Sequence, residues 1–177
     1  MRNKVRLVLL FAFLLFFTVS NAIDVTNCTN ISYSDSYTLI NNVSGAPVDA
    51  GAVPYTGVAC IYIQSDNVTF DCNGYNITNN GTSNAAGIII NDSQSLYTNI
   101  TIRNCPSVHG YMMNVHLYNV SNIVVQNVTV VNASGGNYGF YVSYCNNITM
   151  RNNFAYNNTY AFYLLLSTGL KDRKSVV

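Results

Sequence analysis

The residues that could perform acid–base chemistry are few and scattered along the chain. The sequence has 177 residues, seven aspartates and no glutamate. Hydrolysis of a glycosidic bond by the usual route needs two carboxyl groups beside that bond. A lyase needs an acidic calcium site and a base. Asp71 is the only carboxylate that falls in an outward strand position of the repeat described below, so we assign no catalytic residue and interpret Asp71 with Arg103 as a surface ion pair.

The side chains that could bind a metal do not form a cluster in the sequence either. We expect His109 in a loop and His116 at an outward strand position. The five cysteines form no CxxC pair and no Cys/His cluster. The sequence therefore predicts no metal ion and no cofactor.

An asparagine-framed segment recurs along the chain and must position these residues. It reads "NVTFDCNG" from Asn67, "NITIRNCP" from Asn99, "NIVVQNVT" from Asn122 and "NITMRNNF" from Asn147. A second short run precedes each frame and also occurs once more, as "CIYI" (60–63), "GIII" (87–90), "NVHL" (114–117), "GFYV" (139–142) and "AFYL" (161–164). Two short β-rich runs per repeat, without helical periodicity between them, predict strands. Each repeat is expected to stack on the next at one strand spacing, ~4.8 Å.

Similar residues occupy similar places in every repeat, which predicts a core built of columns. The inward columns of the first run are Ile61, Ile88, Val115, Phe140, Phe162 and Ile63, Ile90, Leu117, Val142, Leu164. At the bend after the second run, three asparagines are in phase with the inward face, and we predict that they form a ladder inside the coil: Asn104, Asn127 and Asn152. The asparagine that opens each frame is expected to start the strand from a turn.

The coil length of about 22–27 residues, the "GIYI…N-[IV]-T-[IV]-x-N" rhythm and the asparagine corners resemble right-handed parallel β-helix repeat proteins. This is the pectate-lyase-like architecture, with the repeats shared by carbohydrate-binding proteins and sugar hydrolases. The segment "CIYIQSDNVTFDCNGYNI" (60–77) is similar to first coils of exported archaeal surface proteins. The resemblance implies an all-β solenoid of about four to five coils, and it implies little about activity, because this fold carries many functions.

The two ends of the chain differ from the repeats. Three basic residues precede "LVLLFAFLLFF" (7–17) and "SNA" (20–22), a pattern that predicts a signal peptide over 1–22, or alternatively an uncleaved anchor. Residues 23–58 are expected to form an N-terminal cap and first strand, and 59–170 the coils. We interpret 171–177 as a non-native tail on a chain that is truncated before further coils of its own; the alternative is a short basic tail.

Cysteine and asparagine usage adds two expectations for an exported chain. Cys72 and Cys105 lie one coil apart with an offset of one residue, which places their Cα atoms within disulfide range. By elimination we pair Cys28 with Cys60 and leave Cys145 free. Of thirteen N-x-[ST] sequons, those in corners and loops are glycosylation candidates: Asn27, Asn67, Asn80, Asn91, Asn99 and Asn147.

One outward column carries several aromatic residues: Tyr62, Ile89, His116, Tyr141 and Tyr163. Its three tyrosines, Tyr62, Tyr141 and Tyr163, could stack on sugar rings or on a partner protein, or could merely shield one another. Between residues 23 and 170 two arginines accompany six aspartates, which argues against nucleic acid as a partner. The sequence thus favours a secreted or cell-surface, non-enzymatic β-helix glycoprotein for envelope structure, adhesion or carbohydrate binding, with polysaccharide or a surface protein as partner. The alternative is the N-terminal part of a polysaccharide lyase or glycoside hydrolase whose catalytic coils are missing.

Overall fold

The computed structural model describes residues 21–53, 56–91, 96–134 and 137–177. The predicted signal peptide lies outside these residues, apart from its last two positions. In the described part of the chain, no helix is long and apolar enough to cross a bilayer. The strands of that part are β1 (Ile23–Val25), β2 (Thr29–Ile31), β3 (Ser36–Leu39), β4 (Val43–Ser44), β5 (Val48–Val53), β6 (Thr56–Ile63), β7 (Thr69–Asp71), β8 (Ile77–Thr78), β9 (Ala85–Asn91), β10 (Thr98–His109), β11 (Met113–Tyr118), β12 (Ser121–Val131), β13 (Tyr138–Ser143), β14 (Asn146–Arg151), β15 (Phe154–Tyr156), β16 (Tyr160–Leu165) and β17 (Lys171–Arg173).

The strands stack into a parallel β-helix, which confirms the predicted fold. Face one is the sheet in which β2, β6, β9, β11, β13 and β16 pair in that order, with β5 added beside β6. Face two contains β1, β3, β7, the first half of β10 and of β12, β14 and β17. Face three contains β4, β8, the second half of β10 and of β12, and β15. Every pairing among them is parallel except that of β5 with β6.

The predicted columns coincide with the observed register. Ile61, Ile88, Val115, Phe140 and Phe162 are successive partners across face one. The first four are buried, and the Phe140 and Phe162 rings stack with centroids 4.8 Å apart. Side chains alternate along a strand, so one residue in two of each coil points into this common core. Leu164, at the top of the second column, is 47% exposed.

Asparagine recurs because the corners of the coil require a left-handed backbone. In the described residues twelve of the fifteen non-glycine positions with positive φ are asparagine. Asparagine tolerates this region better than other residues with a Cβ, because its short side chain can hydrogen-bond locally. Asn67, Asn99, Asn122 and Asn147 all have φ between 53° and 57°, and they open the second face as predicted.

The predicted asparagine ladder exists, but its inward orientation is wrong. Asn127 Nδ2 donates to Asn104 Oδ1 at 3.1 Å, and Asn152 Nδ2 donates to Asn127 Oδ1 at 3.4 Å. Asn104 is half-buried, whereas Asn127 and Asn152 are exposed. The left-handed residue shifts the alternation of side chains by one position, so the residue after the asparagine points inward instead.

The inward corner column consists of Cys72, Cys105, Val128 and Asn153. All four are buried. Cys72 and Cys105 form a disulfide bond with Cα atoms 4.8 Å apart. Two coils higher, Asn153 accepts a hydrogen bond from the Val128 amide at 3.0 Å and donates to the Val125 carbonyl at 2.9 Å. The buried asparagine that closes the corner is therefore Asn153.

The N-terminal region is built differently from the predicted cap. Strands β1 to β4 already stack in register under the later coils, with Tyr37 paired to Phe70 and Val43 to Ile77. A second disulfide bond, Cys28–Cys60, joins this first coil to β6. Strand β5 instead pairs antiparallel with the first residues of β6 at the edge of face one. At the other end, β17 within the predicted tail pairs with β14.

Candidate functional site

The outer side of face one carries mostly apolar and aromatic side chains. Two of its columns run in register through five successive strands: Ala59, Ala86, Met113, Tyr138, Tyr160 and Tyr62, Ile89, His116, Tyr141, Tyr163. The lower coils, those of β6 and β9, supply alanine, isoleucine and one tyrosine. The upper coils, those of β13 and β16, supply only tyrosine in these columns. The change of residue type divides this side into two parts.

The lower part is covered by the chain itself. Ala50 of β5 packs with Ala59, Ala86 and Ile89 in a second small core that also contains Tyr62. Each of these five side chains is buried. Strand β5, which lies between β4 of face three and β6 of face one in the chain, therefore covers the outer side of β6 and β9. This packing explains why the column needs small and aliphatic residues at those levels.

His116 lies at the upper limit of the covered part. Its side chain is fully buried, and its Nδ1 lies 3.4 Å from Thr56 Oγ1. Its Nε2 has no hydrogen-bond partner in the described part of the chain. Burial disfavours the charged imidazolium and lowers the pKa of His116 to about 3. The ring meets Tyr141 edge-on, with centroids 5.0 Å apart, so His116 is a neutral packing residue.

The upper part carries a cluster of rings that we call the tyrosine face: Tyr118, Tyr138, Tyr141, Tyr144, Tyr160 and Tyr163. Tyr138 stacks on Tyr160 and Tyr141 on Tyr163, with centroids 5.1 Å apart in both pairs. Tyr138 also contacts Tyr141 and Tyr163 edge-on. Tyr144 and Tyr160 are 49% and 47% exposed. The cluster is thus a preordered aromatic surface with accessible rings along its upper coils.

Of the three tyrosines predicted to stack on a ligand, only one is accessible in the structure. Tyr62 and Tyr141 are buried, the first under β5 and the second among the rings around it, and only Tyr163 is partly accessible. The sequence identified the column correctly but did not show that a hairpin covers its lower end. The most exposed rings of the cluster, Tyr144 and Tyr160, were missed. The signal for Tyr160 was its repeat position, because Tyr138 and Tyr160 open equivalent strands.

Asp71 and Arg103 form the predicted ion pair, with Arg103 Nε 2.7 Å from Asp71 Oδ2. The Asn104 amide also donates to both oxygens of Asp71, and Asp71 Oδ1 accepts from the backbone amide of Asn73. The carboxylate therefore accepts hydrogen bonds from its own corner and from the corner one coil higher. Arg103 is 42% exposed and Asp71 14% exposed, so solvent screening keeps the contribution of this ion pair to stability small, about 0–1 kcal/mol.

The candidate metal ligands lie apart in the structure. In residues 21–53, 56–91, 96–134 and 137–177, no three His, Cys, Asp or Glu side chains form a group that could hold a metal ion. His109 Nε2 lies 3.1 Å from the Asn132 amide. Cys145 is unpaired and buried, its thiol donates to the Ser143 carbonyl, and burial raises its pKa to about 11. Neither side chain is poised for metal or nucleophilic chemistry.

The glycosylation candidates divide by accessibility. Asn27, Asn67, Asn80, Asn99 and Asn147 are exposed. Asn91 is buried at the end of β9, so its place among the accessible loop sequons is wrong. It sits in register with Tyr118, on the outer side of face one where neighbouring side chains cover it. Asn99 and Asn147 donate their side-chain amides to Asn67 and Asn122 in a ladder along the first corner.

The fold and the ring cluster together define a β-helix module with an aromatic outer side. The chain was also compared with protein families and with solved structures. Residues 19–172 match the family model described as periplasmic copper-binding protein (NosD). The chain belongs to this family. No curated protein sequence matches it. A crystal structure of a suggested glycosyl hydrolase from Parabacteroides merdae ATCC 43184 is similar at 14% identity and a TM-score of 0.38, over 82% of this chain and 80% of that one.

Proposed function

We propose that the protein is an exported, non-enzymatic β-helix module that binds carbohydrate through the tyrosine face. The observation that carries this proposal is the accessible, preordered ring cluster around Tyr138, Tyr160 and Tyr163. Aromatic faces contact the apolar C–H faces of sugar rings, while the phenol hydroxyls remain available for hydrogen bonds. A rigid sheet holds these rings in place, so little conformational entropy is lost on binding.

Export is supported by the disulfides. Cys28–Cys60 and Cys72–Cys105 are bonds that persist in oxidising compartments. The periplasmic location in the family's name agrees with a place outside the cytoplasm. We further propose a cell-surface or envelope setting, with exposed sequons such as Asn80 and Asn27 carrying glycan where the host has the enzyme.

The histidines and cysteines in the described part of the chain do not form a site for the copper that the family's name mentions. Copper sites use histidine, cysteine thiolate or methionine in one coordination sphere. Here four of the five cysteines are in disulfides, and Cys145 lies inside the coil while His116 lies on the outer side of face one. His109 is bonded to an exposed corner asparagine. We therefore carry no copper chemistry over to this protein.

The experiment that tests the proposal is binding of soluble polysaccharides, measured by affinity electrophoresis and then by calorimetry with the matching oligosaccharides. Tyr160→Ala and Tyr144→Ala should each weaken binding about tenfold, because each removes an accessible ring. Tyr33→Ala is the matched control, since Tyr33 is 78% exposed and lies near the opposite end of the stack. Unchanged binding in both face variants, or no binding by the unaltered chain, would refute the proposal. Binding of a surface protein at the same rings would replace carbohydrate as the partner.

A further inference from the structure

Charge is divided along the axis of the coil stack. We call the end that carries β1 the lower end and the end that carries β17 the upper end. Residues 23–102 contain six aspartates and no lysine or arginine, whereas residues 103–177 contain five basic residues and one aspartate. Because successive coils stack upward along the chain, the lower end is acidic and the upper end is basic. The tyrosine face does not account for this division.

One outer column of face two runs through the whole stack and shows this division residue by residue. From the lowest strand to the highest, its members are Asp24, Thr38, Asp71, Arg103, Gln126, Arg151 and Arg173. Asp71 and Arg103 are neighbours in the column, and Arg103 Nε lies 2.7 Å from Asp71 Oδ2. An aspartate and an arginine at one strand spacing therefore form an ion pair here. The two ends of the column, Asp24 and Arg173, are exposed.

Both ends of face two expose a strand edge. In the described part of the chain, β1 pairs only with β3 and β17 pairs only with β14, so the lower edge of β1 and the upper edge of β17 have no partner strand there. Both strands are parallel to their neighbours. The free N–H and C=O groups of a sheet edge can pair with another chain. Strand β1 of a second molecule would therefore continue face two above β17 without a change of strand direction.

Apolar side chains lie beside both edges and are accessible to water. Leu164, Val176 and Val177 at the upper end, and Ile23 and Ile40 at the lower end, are between 41% and 81% exposed. Accessible apolar groups that lie close together are typical of surfaces that another molecule covers. Burial of these side chains would supply most of the affinity of a contact between ends, because exposed ion pairs contribute little.

The charges determine which ends can meet. Contact between two upper ends would bring the basic residues of both β17 strands together, and contact between two lower ends would bring two Asp24 side chains together. Like charges placed opposite one another disfavour both arrangements. Contact of an upper end with a lower end instead places Arg173 one strand spacing, ~4.8 Å, from Asp24 of the next molecule. Asp71 and Arg103 are also one strand apart in this column.

We propose that the partner of the upper end is the lower end of a second copy of this chain, with β17 pairing parallel to β1 of that copy. A contact between two different ends leaves one end of each type free, so further copies add in a line along the coil axis. In the described part of the chain the path of face two has seven strands and that of face one has six. One strand spacing therefore stays open on face one at each junction, and the tyrosine face is not covered. The assembly does not depend on the proposed carbohydrate binding.

The test is the association state of the purified chain, measured by sedimentation velocity over a wide range of protein concentration at low salt. Arg173→Asp and Asp24→Arg should each raise the dissociation constant at least about tenfold. An equimolar mixture of these two variants should associate again, because the reversed charges are complementary across the junction. Gln126→Asp is the control, since it changes the charge in the middle of the same column, and it should associate normally.

A further variant should strengthen the contact. Asp172 occupies an inward position, in register with Met150, and is exposed. In the proposed junction its carboxylate lies beside Ile23 of the next molecule, where a charged group is costly to bury. Asp172→Val should therefore lower the dissociation constant about tenfold. The urea midpoints of Arg173→Asp and Asp24→Arg should equal that of the unaltered chain, because both side chains are exposed.

The outcomes separate this contact from other ways in which the ends could be covered. Loss of association in each charge-reversal variant, and its return in the mixture, would confirm the junction. An unaltered chain that stays monomeric, or that stops at a dimer, would overturn the linear assembly. Association that persists in both Arg173→Asp and Asp24→Arg would assign it to another surface. Binding of monomers to phosphatidylglycerol vesicles, lost in Arg173→Asp, would assign the basic end to an anionic membrane and overturn the proposal.

Discussion

The lower and upper coils carry the same two columns on the outer side of face one, but the columns are covered in the lower coils and partly accessible in the upper coils. Ile89 in the lower part is buried under β5, whereas Tyr163, three strands further along the same column, remains partly accessible. Both disulfide bonds also lie in the lower coils. The lower part is therefore fixed by a second core and covalent bonds, and the upper part by stacked rings and asparagine ladders.

This difference shows how one repeat can serve two purposes. Aliphatic residues are used where another strand must pack closely, because they carry no polar atom to satisfy. Tyrosine is used where the surface meets water, because its hydroxyl stays hydrated while its ring is shared with a neighbour. The lower coils, with their second core and disulfide bonds, therefore lie next to the tyrosine face that we propose for binding. They support the tyrosine face and leave it uncovered.

The largest expected effect comes from truncating the same column at its two levels. Ile89→Ala should cost about 2–5 kcal/mol, since it leaves a cavity between β9 and the covering strand. Tyr163→Ala should cost about 1 kcal/mol, because the ring is partly exposed and loses mainly stacking contacts. Both values are measured by urea unfolding with the disulfides intact. Equal losses at the two positions would mean that β5 does not cover the lower part.

A smaller effect is expected from His116 at the boundary between the two parts. Burial lowers its pKa from 6.5 to about 3, so below pH 6.5 the unfolded chain takes up a proton that the folded chain refuses. Stability is therefore complete above pH 6.5 and falls as the pH drops toward 3, by at most about 1.4 kcal/mol per pH unit. The rings that face His116 belong to Tyr118 and Tyr141, with centroids 6.2 Å and 5.0 Å from the imidazole.

The variant His116→Leu isolates this contribution. Its stability should be nearly constant between pH 6.5 and about 4.5, a window above the ordinary range of aspartate titration. The unaltered chain should lose stability over the same window in parallel urea titrations. A pH profile that is identical in the two proteins would show that His116 is hydrated and not buried under the covering strand.

Much of this architecture is readable from the sequence, because the repeat fixes which residues share a column. The register of Ile61, Ile88 and Val115 follows from spacing alone, and so does the pairing of Cys72 with Cys105. The covering of Tyr62 by β5 could not be predicted from the repeat. Residues 48–53 carry no repeat, so no pattern indicates that β5 lies over the outer side of face one.

The prediction that the ladder asparagines point inward was wrong because local backbone geometry is not visible in the repeat. Strict alternation of side chains places Asn127 in phase with Val125, but Asn127 itself has a left-handed backbone, with φ of 54°, and this resets the phase. The repeated asparagine therefore marks the corner in the sequence, but its left-handed backbone changes which side chains point inward there.

The smallest effect tests what holds the upper coils at the corner where the lower coils have Cys72–Cys105. Asn127 has φ of 54° and two ladder bonds, to Asn104 and Asn152. Asn127→Gly removes the bonds but accepts the backbone, whereas Asn127→Leu removes the bonds and strains it by about 1–2 kcal/mol. Because the ladder is exposed, we expect Gly to cost less than about 1 kcal/mol and Leu about 1–3 kcal/mol by urea unfolding. If both variants lost the same large amount, the hydrogen bonds and not the left-handed backbone would explain why asparagine occupies the corner, and the ladder would then hold the upper coils as the disulfide bond holds the lower ones.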